Sequence, residues 1–166
     1  MTAAVHVAVV GPGDGATARD IADARSIGAL CAARGWIVLT GGRNAGVMAA
    51  AAEGAASSGG VSVGVLPGGD RRDAAPSLTA SLPTGLGEAR NAVLVIAADA
   101  VIACGMSAGT LSEIALAMQS GRPVALVGSD TAFLAGLASE AVHSASSPEA
   151  AVEWIDAEVR KAGSRR

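Results

Sequence analysis

Aromatic residues are scarce in this 166-residue chain: tyrosine is missing, and Trp36, Trp154 and Phe133 make up the 2% present. Single-stranded nucleic acids are held largely by stacking bases on aromatic rings, so a stacking platform is not expected. Lysine is almost as rare, with Lys161 near the C-terminus standing alone beside eleven arginines. That leaves no internal amine for a pyridoxal phosphate Schiff base, and no Gly-Lys-Ser/Thr for a Walker A loop. Cys31 and Cys104 are far apart, and His6 and His143 have no partner at ligand spacing. No metal site is expected, and the two thiols suit a reducing compartment. Twelve basic against fifteen acidic residues give a net charge of −3, without the basic footprint of a nucleic-acid binder. No apolar stretch reaches the ~20 residues that span a bilayer, and no charged segment precedes the first apolar run as in a secretory leader. The expectation is a cytoplasmic protein that engages neither membrane nor nucleic acid.

What is abundant is hydrophobic residues, at 51%, and glycine, at 22 residues. A chain of this length builds one sizeable core and not two, so residues 1–166 are read as one domain whose tail, 163–166, frays. Strand-like runs at 5–10, 36–39, 61–66, 78–82, 100–104 and 123–127 alternate with helix-like segments at 17–34, 45–57, 87–98, 110–120 and 148–161. In the first helix Ile21, Ala24, Ile27, Leu30 and Cys31 recur near helical spacing, and Gly35 ends it. Ser147 and Pro148 form an N-cap and first-turn pair for the last helix, with His143 in a loop or helix end before it. Strands apolar on both sides of the pleat belong to a parallel sheet covered on both faces. With right-handed crossovers this predicts an α/β fold, a three-layer Rossmann-like doubly wound sheet, mainly parallel, with its ligand at the C-terminal ends of the strands. The helical segment 92–98 is apolar all round, which calls either for a homodimer or homotetramer contact or for burial beneath the C-terminal helix.

Three glycine turns lead from a strand into a helix. The first, Gly11-Pro12-Gly13-Asp14-Gly15-Ala16, has the Gly-x-Gly-x-x-Ala spacing of a dinucleotide fingerprint. The acidic residue that would hold an adenosine ribose is missing, since no Asp or Glu lies between Ala32 and Met48. A dehydrogenase is not expected, and Gly11, Gly13 and Asp14 either approach a mononucleotide-sized ligand or simply make a tight turn. The second turn, Gly41-Gly42-Arg43-Asn44-Ala45-Gly46, sets a guanidinium fork for phosphate or carboxylate beside glycines, with Asn44 either touching the ligand or capping the next helix.

The third turn follows the apolar run that ends at Cys104, itself read as a small buried hydrophobe. Backbone N–H groups of Ser107, Ala108, Gly109 and Thr110, at the positive end of a helix dipole, make an anion cradle with Glu113 one turn further on. Thr110-x-x-Glu113 equally has the form of a capping box with Thr110 as the cap. Within Glu88-Ala89-Arg90-Asn91, Arg90 shares a helix face with Val93 and Leu94, and a charge placed there needs a ligand or a carboxylate such as Glu113. The charged loop Asp70-Arg71-Arg72-Asp73 reads as solvated surface or as a flap over the ligand.

Taken in order, Gly41-Gly42-Arg43-Asn44-Ala45-Gly46-Val47-Met48, Gly87-Glu88-Ala89-Arg90-Asn91 and Ala108-Gly109-Thr110-Leu111-Ser112-Glu113 make the chain resemble the lysine-decarboxylase-like, LONELY GUY-related Rossmann superfamily. It is most similar to the molybdenum cofactor carrier branch. The resemblance implies two competing activities. LONELY GUY-type enzymes are phosphoribohydrolases that free a base from its riboside 5′-monophosphate, and their catalytic arginine and glutamate fall on Arg90 and Glu113. Such enzymes typically carry Pro-Gly-Gly-x-Gly-Thr-x-x-Glu and Arg-Lys, where this chain has Met106 and Ser107 in place of the early glycines and Asn91 in place of lysine. The carrier-like branch has the Ala-Arg-Asn form and binds rather than hydrolyses, holding the pterin-based cofactor by its terminal phosphate. The implied function is a binding protein for a phosphorylated small molecule, molybdenum cofactor or a nucleoside monophosphate, with the hydrolase as the alternative.

Overall fold

The computed structural model describes residues 4–129, 132–134 and 141–163. Along the chain these form β1 (His6–Val10), α1 (Ala18–Ala33), β2 (Ile37–Thr40), α2 (Gly46–Ser57), β3 (Val61–Leu66) and β4 (Ala80–Pro83). A 3-10 turn at Gly87–Ala89 then feeds α3 (Arg90–Ala97), followed by β5 (Ala100–Cys104), α4 (Ala108–Gln119), β6 (Val124–Val127), β7 (Val142–Ala145) and α5 (Pro148–Gly163). The sheet order is β4-β3-β2-β1-β5-β6-β7, and every neighbouring pair is parallel. This is the α/β Rossmann-like architecture expected from the alternation of elements.

Strand residues divide between two cores with the period of two that the pleat imposes. Val7 and Val9 of β1, with Ala100, Ile102 and Cys104 of β5, join the core under α1, α2 and α5. Ala8 and Val10, with Val101 and Ala103, join the core under α3 and α4. The helices α3 and α5 therefore cover opposite faces, and burial of α3 beneath the C-terminal helix is ruled out. Where β1 meets β5 the helices change sides, α1 leaving on one face and α4 on the other, which opens a crevice at the strand ends.

Local chemistry explains the best-formed elements. Thr17 accepts a hydrogen bond from the Asp20 amide at 3.1 Å, and the Asp20 carboxylate accepts from the Thr17 amide at 2.9 Å, a complete capping box for α1. Ser147 accepts from the Ala150 amide at 3.2 Å and starts α5 as expected. Helices α1 and α2 meet backbone to backbone: a Cβ on Gly28 would lie 3.0 Å from the Ala51 carbonyl carbon, and one on Gly54 2.8 Å from that of Arg25. An Arg25–Glu53 ion pair at 2.7 Å spans the seam.

One element escaped the sequence reading. His143 lies in strand β7, not in a loop or helix end, and its ring stacks on Trp154 with centroids 4.9 Å apart. The strand is short, carries exposed His143 and Ser144 in its middle, and is held by pairing with β6, so its own pattern is too weak to announce it. Of the tail 163–166 expected to fray, Gly163 ends α5 and residues 164–166 lie outside the described residues. No helix among the described residues is long and apolar enough to cross a membrane.

Candidate functional site

All three glycine turns converge at the C-terminal ends of the strands around a cleft of about 170 Å³. Gly11, Gly13 and Asp14 come from the first, Gly41 and Arg43 from the second, and Ser107 and Gly109 from the third. The 3-10 turn adds Glu88, the start of α3 Arg90 and Asn91, and α4 Glu113. Sites that enclose a drug-sized ligand measure roughly 300–1,000 Å³, so this cleft has room for only one end of such a ligand, on the scale of a phosphate and its neighbours. A more open, apolar groove of about 700 Å³ adjoins it along α3 and α4, sharing Glu88, Asn91 and Gly109 with the cleft.

Arg90 enters the cleft wall where Gly41 lacks a side chain. A Cβ there would press on Nη1 and stand 2.8 Å from Nη2 of the guanidinium, so the glycine is what admits the arginine. Arg90 is 6% exposed and Glu113 7%. Their closest approach is 3.8 Å, from Nη1 to Oε1, an ion pair too long to be a hydrogen bond. Nε and Nη1 of Arg90 have no acceptor among the described residues. Burial pulls the Arg90 pKa down, opposed by the nearby carboxylates of Glu113 and Glu88. Burial also lifts the Glu113 carboxyl to about 7, against the lowering effect of Arg90. A buried guanidinium with unspent donors beside a cleft is built to meet an anion.

The start of α4 differs from the expected capping box. Ser107, in extended backbone, is the N-cap: its Oγ accepts the Thr110 amide at 3.2 Å and lies 2.9 Å from the Thr110 hydroxyl. Thr110 is thus the third helical residue and not the cap, and its side chain is buried against Ser107. Glu113 is freed from the capping role and turns to Arg90. The amides of Ala108 and Gly109 keep no acceptor among the described residues, so two donors at the positive helix end stay available.

Asn44 does not cap α2, whose N-cap is Ala45 without any side-chain bond. It is exposed and away from the cleft lining, and its backbone N–H donates to the Asp73 carbonyl at 2.8 Å. Gly42, with φ of +81°, makes the turn and packs on Gly64, while Gly46 packs on the carbonyls of Pro12 and Gly13. These two glycines shape the loops and do not line the cleft. Ala108 faces the adjoining groove. Arg43 and Asp14 form an exposed pair at the rim, 3.8 Å apart. Loop 67–76 is tied to the second turn, since Ala75 also donates to the Gly42 carbonyl at 2.9 Å, yet none of Asp70, Arg71, Arg72 or Asp73 lines the cleft. Cys104 is a buried core residue whose thiol burial pushes well up, which leaves it inert. Met48 and Glu88 line the cleft without having been picked from sequence; both lie inside the motifs, but neither residue type signals anion binding.

A parallel sheet with a crevice at its switch point defines a Rossmann-like domain, and two free helix amides and a buried unspent guanidinium give that crevice donors suited to an anion. The chain belongs to the SLOG cluster4 family, whose pattern matches residues 4–152. It is similar to the molybdenum cofactor binding protein of the phototrophic bacterium Rippkaea orientalis, at 40% identity and a TM-score of 0.92, over 96% of this chain and 99% of the other. It is also similar to the molybdenum cofactor carrier protein of Chlamydomonas reinhardtii, at 32% identity and a TM-score of 0.89 over the same shares. An uncharacterized protein of Archaeoglobus fulgidus is 40% identical over 100 residues, 60% of this chain and 64% of that relative's length.

Proposed function

We propose that this protein binds a phosphorylated small molecule, with molybdenum cofactor as the guest, and carries it intact. The observation that supports this best is Arg90, buried beside the cleft with Nε and Nη1 unpaired. A phosphate there would accept from the guanidinium and from the Ala108 and Gly109 amides, with Arg43 adding charge at the rim. The likeness to two proteins described as binding or carrying molybdenum cofactor points the same way. Ser107 favours carriage over cleavage, because its hydroxyl occupies the Thr110 amide that a glycine in its place would leave for a substrate.

A second reading rests on Glu113, whose pKa near 7 is the value a general acid or base needs around neutrality. In a phosphoribohydrolase it would protonate the departing base or activate water while Arg90 orients the ribose phosphate. In either role we expect a homodimer or homotetramer, because α3 presents Val93 and Ile96, 43% and 62% exposed, to the outside.

Mass spectrometry of whatever co-purifies, followed by incubation with AMP and isopentenyladenosine monophosphate, decides between the readings. The expected result is a retained pterin phosphate or nucleotide, no free base, and affinity about a hundredfold weaker in a folded Arg90→Ala variant, the loss of one to two charge-assisted bonds. Release of free base that disappears in Glu113→Ala overturns carriage in favour of hydrolysis. Undiminished binding in Arg90→Ala overturns the site.

A further inference from the structure

Asn91, 4% exposed, stands in the wall shared by the cleft and the groove between α3 and α4. The polarity of its amide follows from a chain of hydrogen bonds. Ser112 Oγ lies 2.7 Å from the Gly109 carbonyl oxygen, and since a carbonyl can only accept, the single hydroxyl proton is spent there. Toward Asn91, 3.0 Å away, Ser112 can then only accept, so Asn91 must turn its NH₂ to the serine. The amide oxygen is left buried on the other side with no donor. A buried acceptor in that state is costly unless something brings it a hydrogen. The adjoining groove is walled by Ala92, Ala108 and Leu116, apolar surface suited to the flat face of a ring.

We infer that Asn91 selects, among phosphorylated guests, those whose body is a nitrogen heterocycle bringing an N–H to this amide oxygen. The inference rests on the reading of the cleft as a phosphate site. The phosphate end meets Arg90, the ring lies along the groove, and Asn91 reads the ring's edge. A lysine at this position would present a cation, so the same fold with Asn91 sorts ligands by a neutral donor.

The test compares inorganic phosphate, AMP, GMP and purine riboside 5′-monophosphate, whose base has no N–H donor, by calorimetry and thermal shift. In the unmodified protein the better of AMP and GMP binds at least tenfold more tightly than purine riboside 5′-monophosphate. In Asn91→Leu, and in Ser112→Ala, which removes the hydroxyl that fixes the amide together with its bond to the Gly109 carbonyl, that gap closes to within twofold, and in Ser112→Ala affinity for inorganic phosphate stays within twofold. A gap absent from the unmodified protein, or unchanged in Ser112→Ala, overturns the inference. So does an Asn91→Leu variant that keeps the gap. Failure of the unmodified protein to bind inorganic phosphate, or binding indifferent to Arg90→Ala, instead removes the phosphate reading beneath it.

Discussion

Under α1, α2 and α5 the sheet is sealed by small residues, with Gly28 and Gly54 letting two helices touch backbone to backbone. Under α3 and α4 the same sheet carries the buried charges of the described residues, Arg90 and Glu113, together with buried Asn91 and Thr110. The outer surface of that second layer keeps Val93, Ile96 and Leu111 exposed. One face is therefore a closed core whose helices differ little in what they offer a ligand. The other holds an ion pair without a hydrogen bond, an amide oxygen without a donor, and apolar surface without cover. The unpaired Nε and Nη1 of Arg90 and Oδ1 of Asn91 border the cleft and mark where the molecule expects something else to arrive, whereas the unpaired Ser62 hydroxyl of β3 lines neither the cleft nor the groove.

The contrast predicts that the sealed face breaks on added volume. Gly54→Val forces a side chain against the Arg25 carbonyl, and chemical denaturation should show a loss of at least about 3 kcal/mol. A loss under about 1 kcal/mol would mean that α1 and α2 slide apart freely and that the face is not rigid.

On the open face the cost is electrostatic and follows pH. Glu113 has its pKa raised from 4.5 to about 7 by burial, so the folded chain holds that proton more tightly than the unfolded one. Its contribution is fully present below about pH 4.5 and is lost as pH rises through about 7. Glu113→Gln removes this dependence: by pH 8 the variant should be more stable than the unmodified protein by up to about 3 kcal/mol, a difference that shrinks toward pH 4. Parallel stability profiles for the two proteins between pH 4 and 8 would show that Arg90 compensates the buried carboxylate in full.

The smallest effect on folding is expected at the outer surface. Ile96→Glu, at a 62% exposed position, should leave the stability of the dispersed chain within about 0.5 kcal/mol while sedimentation shows the proposed oligomer dissociating. An oligomer that survives this change has its interface elsewhere than on α3.

The strand and helix pattern was legible because most elements carry their period in their own residues: the apolar run 100–104 of β5, or the helical recurrence of Ile21, Ala24, Ile27, Leu30 and Cys31 in α1. The three turns were legible because glycine placement is a local demand. Arg90 and Glu113 were legible as a pair, since a charge amid apolar residues has to be answered. The edge strand β7 was not, because only its pairing with β6 makes Val142-His143-Ser144-Ala145 a strand. The cap of α4 was misread for a similar reason: Ser107 and Thr110 are both good caps, and only the path of the preceding loop puts Ser107 in extended backbone at the helix start. Asn44 had the right chemistry for a cap or a ligand, yet the tie between its backbone N–H and the Asp73 carbonyl holds that turn away from both.

By itself, then, the sequence determined the alternating α/β framework, the glycine turns and the residues able to meet an anion, since these depend on local periodicity, backbone freedom and charge. Only the tertiary structure decided which of those residues share a cleft, which donors of Arg90 stay unspent and which way the Asn91 amide faces. Those outcomes depend on contacts between segments far apart in the chain, from Gly41 against Arg90 to Asn91 against Ser112, and no local pattern records them.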